Sequence, residues 1–392
     1  MSIPKLRFKG FSDKWISKSV ADYVNINPKT GKMPDSFIYI DLESVKSGAL
    51  LKENEIRLSE APSRAQRVLS KGDILFQMVR PYQGNNLLFE KEGIYVASTG
   101  YAQIKTNESN QFFYQLFHTK KFLDEVMDRC TGTSYPAIDS KSLGGIKVSA
   151  PGMAEQQKIA SFLAKFDQKI SLLSKKHELL IQYKKGVMQK IFNQEIRFKD
   201  ENGDEFVDWG IKRFDDVVQI QGGFAFKSSN FGSGETKVLK IGDIGPSISL
   251  VNFTGETSTE NPDERFSVRK GDYLMALSGA TFGKVGKIAD KGVAYINQRV
   301  ATFRTKQVPA FFYQYIQTES FKSYIKSIPS ASAQPNISNS DIGSYIAPVP
   351  SIEEQKKIAD FLNSVDVLIE VIERKMKLTK QYKLGLLQQM FI

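Results

Sequence analysis

The sequence has 392 residues, more than a single hydrophobic core usually supports, so two folding units are expected. Its 41% apolar and 11% aromatic content excludes a disordered chain, while one cysteine and two histidines exclude a disulfide framework and a recognisable zinc site. The net charge of +11 favours a polyanionic partner, with nucleic acid preferred to a membrane surface, although a basic protein without such a partner stays open. Because no apolar run reaches the roughly 18 residues of a membrane span, a cytoplasmic protein is expected.

The first part of the chain is predicted to form strands followed by a helix. Residues 15–110 contain short segments rich in Val, Ile, Phe and Tyr, separated by clusters of Gly, Asn and Ser, which is typical of strands and turns. Residues 111–129 then space their aromatic and aliphatic side chains at the helical period, which predicts one amphipathic helix. Together these segments indicate an α+β domain.

Two loops of this domain have a composition suited to binding DNA. The segment QMVRPYQGNN, residues 77–86, is interrupted by Pro and Gly and is rich in Arg, Asn and Gln, which bind guanine and adenine edges through paired hydrogen bonds. The segment CTGTSYPAI, residues 130–138, offers small polar groups suited to phosphate contacts. For each residue the alternative is an ordinary solvated loop. The candidate DNA contacts are Arg80, Tyr82, Gln83, Asn85, Asn86, Thr133, Ser134 and Tyr135.

A long helix is predicted to follow, starting near residue 153. From Ile159 to Ile191, positions spaced alternately by four and three residues are apolar in eight of ten cases, a heptad seam typical of a left-handed coiled coil. Lys184 interrupts this seam. Either the seam frays at Lys184, or the polar position fixes the register or marks where a partner helix docks.

The whole pattern is then repeated. Residues 155–192 and 354–391 align without a gap at an offset of 199 and share 17 identities in 38 positions. The same offset relates KGDIL at residue 71 to KGDYL at residue 270. The chain is therefore predicted to be a tandem repeat of two α+β domains, each followed by a long helix, with an acidic linker after residue 198. We expect the two helices to pair as an antiparallel coiled coil.

The second copy keeps the frame of the first but changes the loop residues. It has LSGATFGKVGK at residues 277–287 in place of the first candidate loop, and a matching small-polar loop at residues 328–337. Because the flanking segments match while the loop residues differ, the two copies are predicted to bind two different DNA half-sites. The candidate DNA contacts in this copy are Ser278, Thr281, Lys284, Ser332 and Gln334.

The two long helices also share residues that face away from the seam. The second helix, starting near residue 352, has Lys383 at the seam position that Lys184 occupies in the first. A shared outward face predicts that two identical partners dock there. The candidate docking residues are Gln182, Tyr183, Gln189, Phe192, Gln381, Tyr382, Gln388 and Phe391.

No catalytic signature is complete in the sequence. The segment SGATFGKVG has only three residues between Gly279 and Gly283, and it has Val285 where a phosphate loop needs Ser or Thr. His118 lies on the predicted helix and is expected to be a packed residue rather than a general base. We therefore expect a non-enzymatic chain with no catalytic residue, no metal site and no cofactor of its own.

Two α+β domains, each followed by a near-identical long helix, resemble the specificity subunit of a Type I restriction-modification system. The resemblance covers essentially the whole chain. It is strongest in the pattern P-x3-EQ-x-KIA-x-FL at residues 151–163 and 350–362, and in the KGD strand signature.

The resemblance implies two target recognition domains, residues 1–150 and 193–350, each reading one half of a split sequence in double-stranded DNA. It implies that spacer helices, residues 151–192 and 351–392, separate the domains and bind two methyltransferase subunits, with two restriction or motor subunits in the full complex. Those partners would use S-adenosylmethionine, and ATP with magnesium. A free-standing sequence-specific DNA-binding regulator and a non-catalytic scaffold remain the alternatives.

Overall fold

The computed structural model of the chain describes residues 3–328 and 336–392, so the candidates Ser332 and Gln334 lie outside the described residues. The chain divides into two compact units. The first is Met1–Lys176 with Ile372–Ile392, and the second is His177–Val371. Each unit therefore contains an α+β region together with part of each long helix.

The first unit contains two small sheets, a hairpin and a strand pair. The sheet β2-β11-β8-β9 is antiparallel, whereas the sheet β6-β3-β10-β7 has β3 and β10 parallel. Strand β1 pairs with β12, and β4 pairs with β5. The elements are β1 Ile16–Ser19, α1 Val20–Tyr23, β2 Asn25–Ile26, β3 Ser36–Ile40, β4 Val45–Lys46, β5 Ala49–Leu50, β6 Asn54–Arg57, β7 Ala65–Val68, β8 Ile74–Gln77, β9 Leu87–Leu88, β10 Tyr95–Ser98, β11 Tyr101–Lys105, α2 Asn110–Leu116, α3 Lys120–Asp128, α4 Ser140–Gly144, β12 Lys147–Ala150 and α5 Met153–Phe192.

The second unit repeats this arrangement. The sheet β14-β21-β18-β19 is antiparallel, the sheet β16-β15-β20-β17 has β15 and β20 parallel, and β13 pairs with β22. The elements are β13 Gly210–Arg213, α6 Phe214–Val217, β14 Gln219–Gly222, β15 Phe231–Leu239, β16 Thr257–Ser258, β17 Ser267–Arg269, β18 Tyr273–Ala276, β19 Val285–Lys287, β20 Val293–Ile296, β21 Val300–Arg304, α7 Pro309–Tyr315, α8 Glu319–Ser327, α9 Asn339–Gly343, β22 Ile346–Val349 and α10 Ile352–Met390.

The prediction of one amphipathic helix in each domain is wrong, because each is two short helices. Thr119 stands between α2 and α3, and its side chain accepts a hydrogen bond from the backbone N–H of Phe122. Thr318 does the same for Phe321 at the start of α8. A threonine in this role is a helix N-cap, so the chain turns there and a new helix begins.

Each hydrophobic core joins a sheet and its short helices to the ends of both long helices. In the first unit, Ile159 and Leu163 from the start of α5 share a core with Leu386 and Met390 from the end of α10. In the second unit the corresponding core contains Ile358 and Leu362 from the start of α10 together with Met188 and Ile191 from the end of α5. Because the start of one helix lies beside the end of the other in both units, the predicted antiparallel pairing is confirmed.

The lysines that interrupt the heptad seam form ion pairs. In the first unit, Lys383 Nζ lies 2.6 Å from Asp167 Oδ1. Gln115 donates a further hydrogen bond to the same carboxylate, at 2.7 Å from Oδ2. In the second unit, Lys184 pairs with Asp366 at 2.7 Å. Both lysine side chains are only 12% exposed and are paired across the two helices. Such buried, paired positions favour the interpretation that polar seam residues fix the register of the helix pair.

The Lys383–Asp167 pair should contribute measurably to stability. With Lys383→Met and Asp167→Asn made singly and together, we expect a coupling energy of about 1 kcal/mol, because the pair is half-buried and carries an additional hydrogen bond. Urea unfolding of the four proteins measures it. The exposed pair Lys120–Asp124 on α3 is the matched control, with roughly 0.3 kcal/mol expected. Equal coupling in both pairs would contradict a register role.

Candidate nucleic-acid interface

The first candidate loop begins where β8 ends and has a sharply defined backbone. Arg80 has a positive φ of 53°, and Gly84 has a φ of 63°. Between them, Pro81–Gln83 form a single 3-10 turn. The backbone N–H of Arg80 donates to the carbonyl of Pro136 at 2.7 Å. Because a positive φ is unfavourable for arginine, this conformation persists only where surrounding contacts hold it.

The two candidate loops of the first unit lie side by side. Val79 forms a β-bridge with Ala137, which brings residues 133–135 next to Arg80. The Arg80 guanidinium lies 4.1 Å from the centre of the Tyr135 ring, a cation–π contact. Four further candidates on these same loops are exposed, namely Tyr82, Gln83, Thr133 and Ser134. Six of the predicted residues therefore lie on two adjacent loops of the unit.

The last two residues of the loop face the protein. Asn86 is 3% exposed, and its Oδ1 accepts from the backbone N–H of Gln77 at 2.8 Å. Asn85 is half-buried, and its Oδ1 accepts from the backbone N–H of Ser47 at 3.0 Å. The expectation that Asn86 contacts DNA is corrected, because its side chain is enclosed and occupied.

The corresponding loop of the second unit also contains a candidate whose side chain is buried and hydrogen-bonded. Ser278 is fully buried, and its Oγ accepts from Arg299 Nη1 at 3.2 Å, so its expected DNA contact is also corrected. Thr281 is half-buried, with its Oγ1 enclosed and lacking a hydrogen-bond partner among the described residues. Lys284 is exposed. The backbone of Ser278 forms a β-bridge with Asn336, which lies near the end of the second candidate loop of this copy, residues 328–337.

A polar groove beside this loop contains residues that sequence reasoning missed. It has a volume of about 480 Å³ and is open to solvent. Its amide and guanidinium side chains are of the types that bind base edges. These residues come from separate segments of the chain, so no local pattern marks them as a set. They are Gln221, Arg265, Gln298, Asn336 and Asn339.

His118 is half-buried and packed against helix α2. Burial lowers the pKa of this imidazole, whose Nδ1 lies 2.7 Å from the Tyr114 carbonyl oxygen. The imidazole ring also packs against the Tyr114 ring, with 4.5 Å between the ring centres, which supports the packing role expected from the sequence. In the parts of the chain that the structure covers, no cluster of three or more His, Cys, Asp or Glu side chains is placed to hold a metal ion.

The candidate docking residues divide into exposed and buried sets. Gln182, Tyr183 and Gln189 are exposed on α5. On α10, the matching exposed residues are Gln381, Tyr382 and Gln388. Two aromatic candidates are instead core residues and are corrected. Phe192 packs against Trp209 and Phe311, and Phe391 packs against Trp15 and Phe112.

None of the helices within residues 3–328 and 336–392 is both long enough and apolar enough to span a membrane.

Comparison with known proteins finds the same two-copy organisation. The family model described as Type I restriction modification DNA specificity domain matches residues 13–182 and again residues 206–380. The Type I restriction enzyme MjaVIII specificity subunit of Methanocaldococcus jannaschii is 30% identical over 363 residues, covering 86% of this chain and 81% of the relative.

Two solved structures share the fold. The S subunit of a Type I restriction-modification system from M. genitalium has a TM-score of 0.62 at 15% identity, with 100% of this chain and 99% of that chain covered. A chain solved in work on complex assembly and conformational transition of the type I R-M system has a TM-score of 0.54 at 20% identity, with 96% and 97% covered. With two family matches that together span most of its length, this chain belongs to the Type I restriction-modification DNA specificity subunits.

Proposed function

We propose that this chain is the DNA-recognition subunit of a Type I restriction-modification complex, and that each of two target recognition domains reads one half of a bipartite target. We assign residues 1–150 and 193–350 to these domains. The observation that carries the proposal is that each specificity-domain match contains its own exposed polar surface, formed by two loops in the first copy and by an open groove in the second, with different residues in the two copies. Arg, Gln and Asn side chains discriminate bases by paired hydrogen bonds, so different loop residues select different half-sites.

The long helices, residues 151–192 and 351–392, are proposed to space the domains and to dock two methyltransferase subunits. Support comes from Tyr183 and Tyr382, which occupy matching positions and are 54% and 61% exposed. Gln182, Gln189, Gln381 and Gln388 extend these two surfaces. Like surfaces bind like partners, so two copies of one subunit are expected.

The chemistry is assigned to the partner subunits. Methylation requires S-adenosylmethionine in the methyltransferase, and translocation with cleavage requires ATP and magnesium in two restriction or motor subunits of the full complex. This chain contributes recognition and assembly, without a cofactor of its own. A cytoplasmic location follows from the proposal, since the DNA and these cofactors are found there.

Exchange of one recognition domain tests this function. Cells that carry this chain with its methyltransferase should contain methylated DNA with a two-part motif, as detected by methylation-sensitive sequencing. Replacing residues 1–150 by the matching domain of a relative should change one half of the motif and leave the other intact. A chain that purifies without a methyltransferase and directs no methylation would favour the free-standing regulator instead, and a change in both halves would contradict separate reading by two domains.

A further inference from the structure

Gln77, the last residue of β8, lies buried beneath the first candidate loop. It is 1% exposed. Its Nε2 donates to the Val79 carbonyl and to Gln83 Oε1, both at 2.8 Å. Its Oε1 accepts from the backbone N–H of Asn85 at 3.1 Å, and its own backbone N–H donates to Asn86 Oδ1 at 2.8 Å. One buried amide therefore ties together the start, the turn and the end of the loop.

These hydrogen bonds stabilise a loop conformation that includes an unfavourable backbone angle. Arg80 and Gly84 both have positive φ, and Arg80 carries a side chain that disfavours this region. The bonds from Gln77 are made to residues on both sides of Arg80. Residues with such backbone angles persist when their surroundings over-determine them, and they cluster at ligand-binding positions.

Surrounding contacts hold the side chain of Arg80 in one orientation, in addition to its backbone. Its guanidinium stacks 4.1 Å from the Tyr135 ring centre, and its enclosed Nε has no hydrogen-bond partner within residues 3–328 and 336–392. A planar guanidinium held on an aromatic ring loses little further freedom on binding a base, which is how preorganisation raises affinity. The orientation follows the backbone of Arg80, whose N–H is held by the Pro136 carbonyl and whose neighbours Val79 and Gln83 are held by Gln77.

In the second unit, the residue equivalent to Gln77 cannot make these side-chain hydrogen bonds. At the repeat offset of 199, Gln77 corresponds to Ala276, which has no side-chain hydrogen-bonding group. There backbone hydrogen bonds close the loop, between Ala276 and Lys284 and between Gly283 and Ala276, both at 2.9 Å. The second recognition domain is thus an internal control for any change at Gln77.

We propose that Gln77 is a positioning residue for DNA recognition, and that it sets the specificity of the first domain by holding Arg80 and Gln83 in their reading conformation without touching DNA itself. The inference rests on the proposed function and deepens it. It assigns half-site selectivity to a buried amide behind the loop as well as to the exposed residues.

The test measures methylation by the complete complex of this chain with its methyltransferase. The substrates are the wild-type target duplex and duplexes with single base changes in either half-site. For Gln77→Met, KM on the wild-type duplex should rise roughly tenfold, the scale of one lost paired base contact, and discrimination at the first half-site should flatten. Discrimination at the second half-site should not change. Gln77→Glu keeps the acceptor for Asn85 but loses both donors, so it should behave in the same way and provides a second variant.

Gln103→Met is the matched control. Gln103 is also 1% exposed, lies in the adjacent strand β11, and donates to the Val68 carbonyl at 2.8 Å and to Asp73 Oδ2 at 2.6 Å, away from the loop. Its replacement should lower the thermal midpoint while leaving discrimination at both half-sites intact. An equal loss of first half-site discrimination in Gln103→Met would reduce Gln77 to general packing and overturn the inference.

Arg80→Ala separates the inference from the function on which it rests. If Arg80→Ala relaxes the first half-site while both Gln77 variants keep wild-type discrimination, the positioning role is wrong and the recognition function stands. If the wild-type complex shows no two-part sequence preference, the proposed function fails and the inference fails with it.

Discussion

Replacement of Glu354 by Ala is expected to lower the free energy of unfolding of the second unit by about 2–3 kcal/mol, because it removes a fully buried carboxylate that accepts hydrogen bonds from the partly buried guanidinium of Arg197 and from the indole of Trp209. Glu354 is fully buried near the start of α10. Its Oε2 accepts from Arg197 Nη2 at 2.9 Å and from Trp209 Nε1 at 3.0 Å. The carboxylate therefore connects the long helix to the segment that enters the second recognition domain.

The chain supplies its own probe for this measurement. It has two tryptophans, and Trp209 is the one in the second unit. In a Trp15→Phe background, urea unfolding followed by Trp209 fluorescence reports that unit. Asp208→Asn is the control, because Asp208 pairs with the same Arg197 at 3.4 Å but is fully exposed, so its midpoint should not move. An equal loss of unfolding free energy in Glu354→Ala and Asp208→Asn would show that burial of the pair contributes nothing to stability.

Lengthening both long helices by one heptad is expected to abolish methylation of the original target and to create a target with a longer gap. Duplicating residues 170–176 in α5 and 369–375 in α10 keeps the spacing of the apolar seam. Seven residues add about 10 Å of helix. At about 3.4 Å per base pair along the axis, the unspecified gap between the half-sites should grow by about three base pairs.

The half-site sequences should remain the same in this variant, since the loops are unchanged. Sequencing of methylated DNA from cells carrying the lengthened complex measures both quantities. A variant with the heptad in α5 alone is the control, because it shifts the ion pairs Lys383–Asp167 and Lys184–Asp366 out of register and should weaken the fold or the docking. Full methylation at the original gap in the doubly lengthened variant would show that the helices do not set the spacing.

Features that depend on local sequence could be predicted. The heptad seam located two helices starting near residues 153 and 352, and the structure has them at Met153–Phe192 and Ile352–Met390. The offset of 199 identified the tandem repeat, which the two family matches confirm. Helical periodicity depends only on residues close together in the sequence, and an internal repeat is found by comparing the chain with itself. Neither requires knowledge of contacts between distant residues.

Exposure of individual side chains could not be predicted in the same way. Asn86 and Ser278 have the composition and loop context of DNA-binding residues, yet Gln77 and Arg299 enclose and occupy them. Phe391 repeats Phe192 on an outward face of the predicted helix, yet it packs on Trp15, more than 370 positions earlier in the chain. The helix that completes each core comes from the other repeat, because antiparallel pairing brings the end of one long helix to the start of the other.

The sequence by itself determined the repeat, the helices and the polar character of the loops. Only the tertiary structure decided which polar groups stay exposed for a partner and which are consumed inside the fold, because burial is set by residues that are distant in sequence.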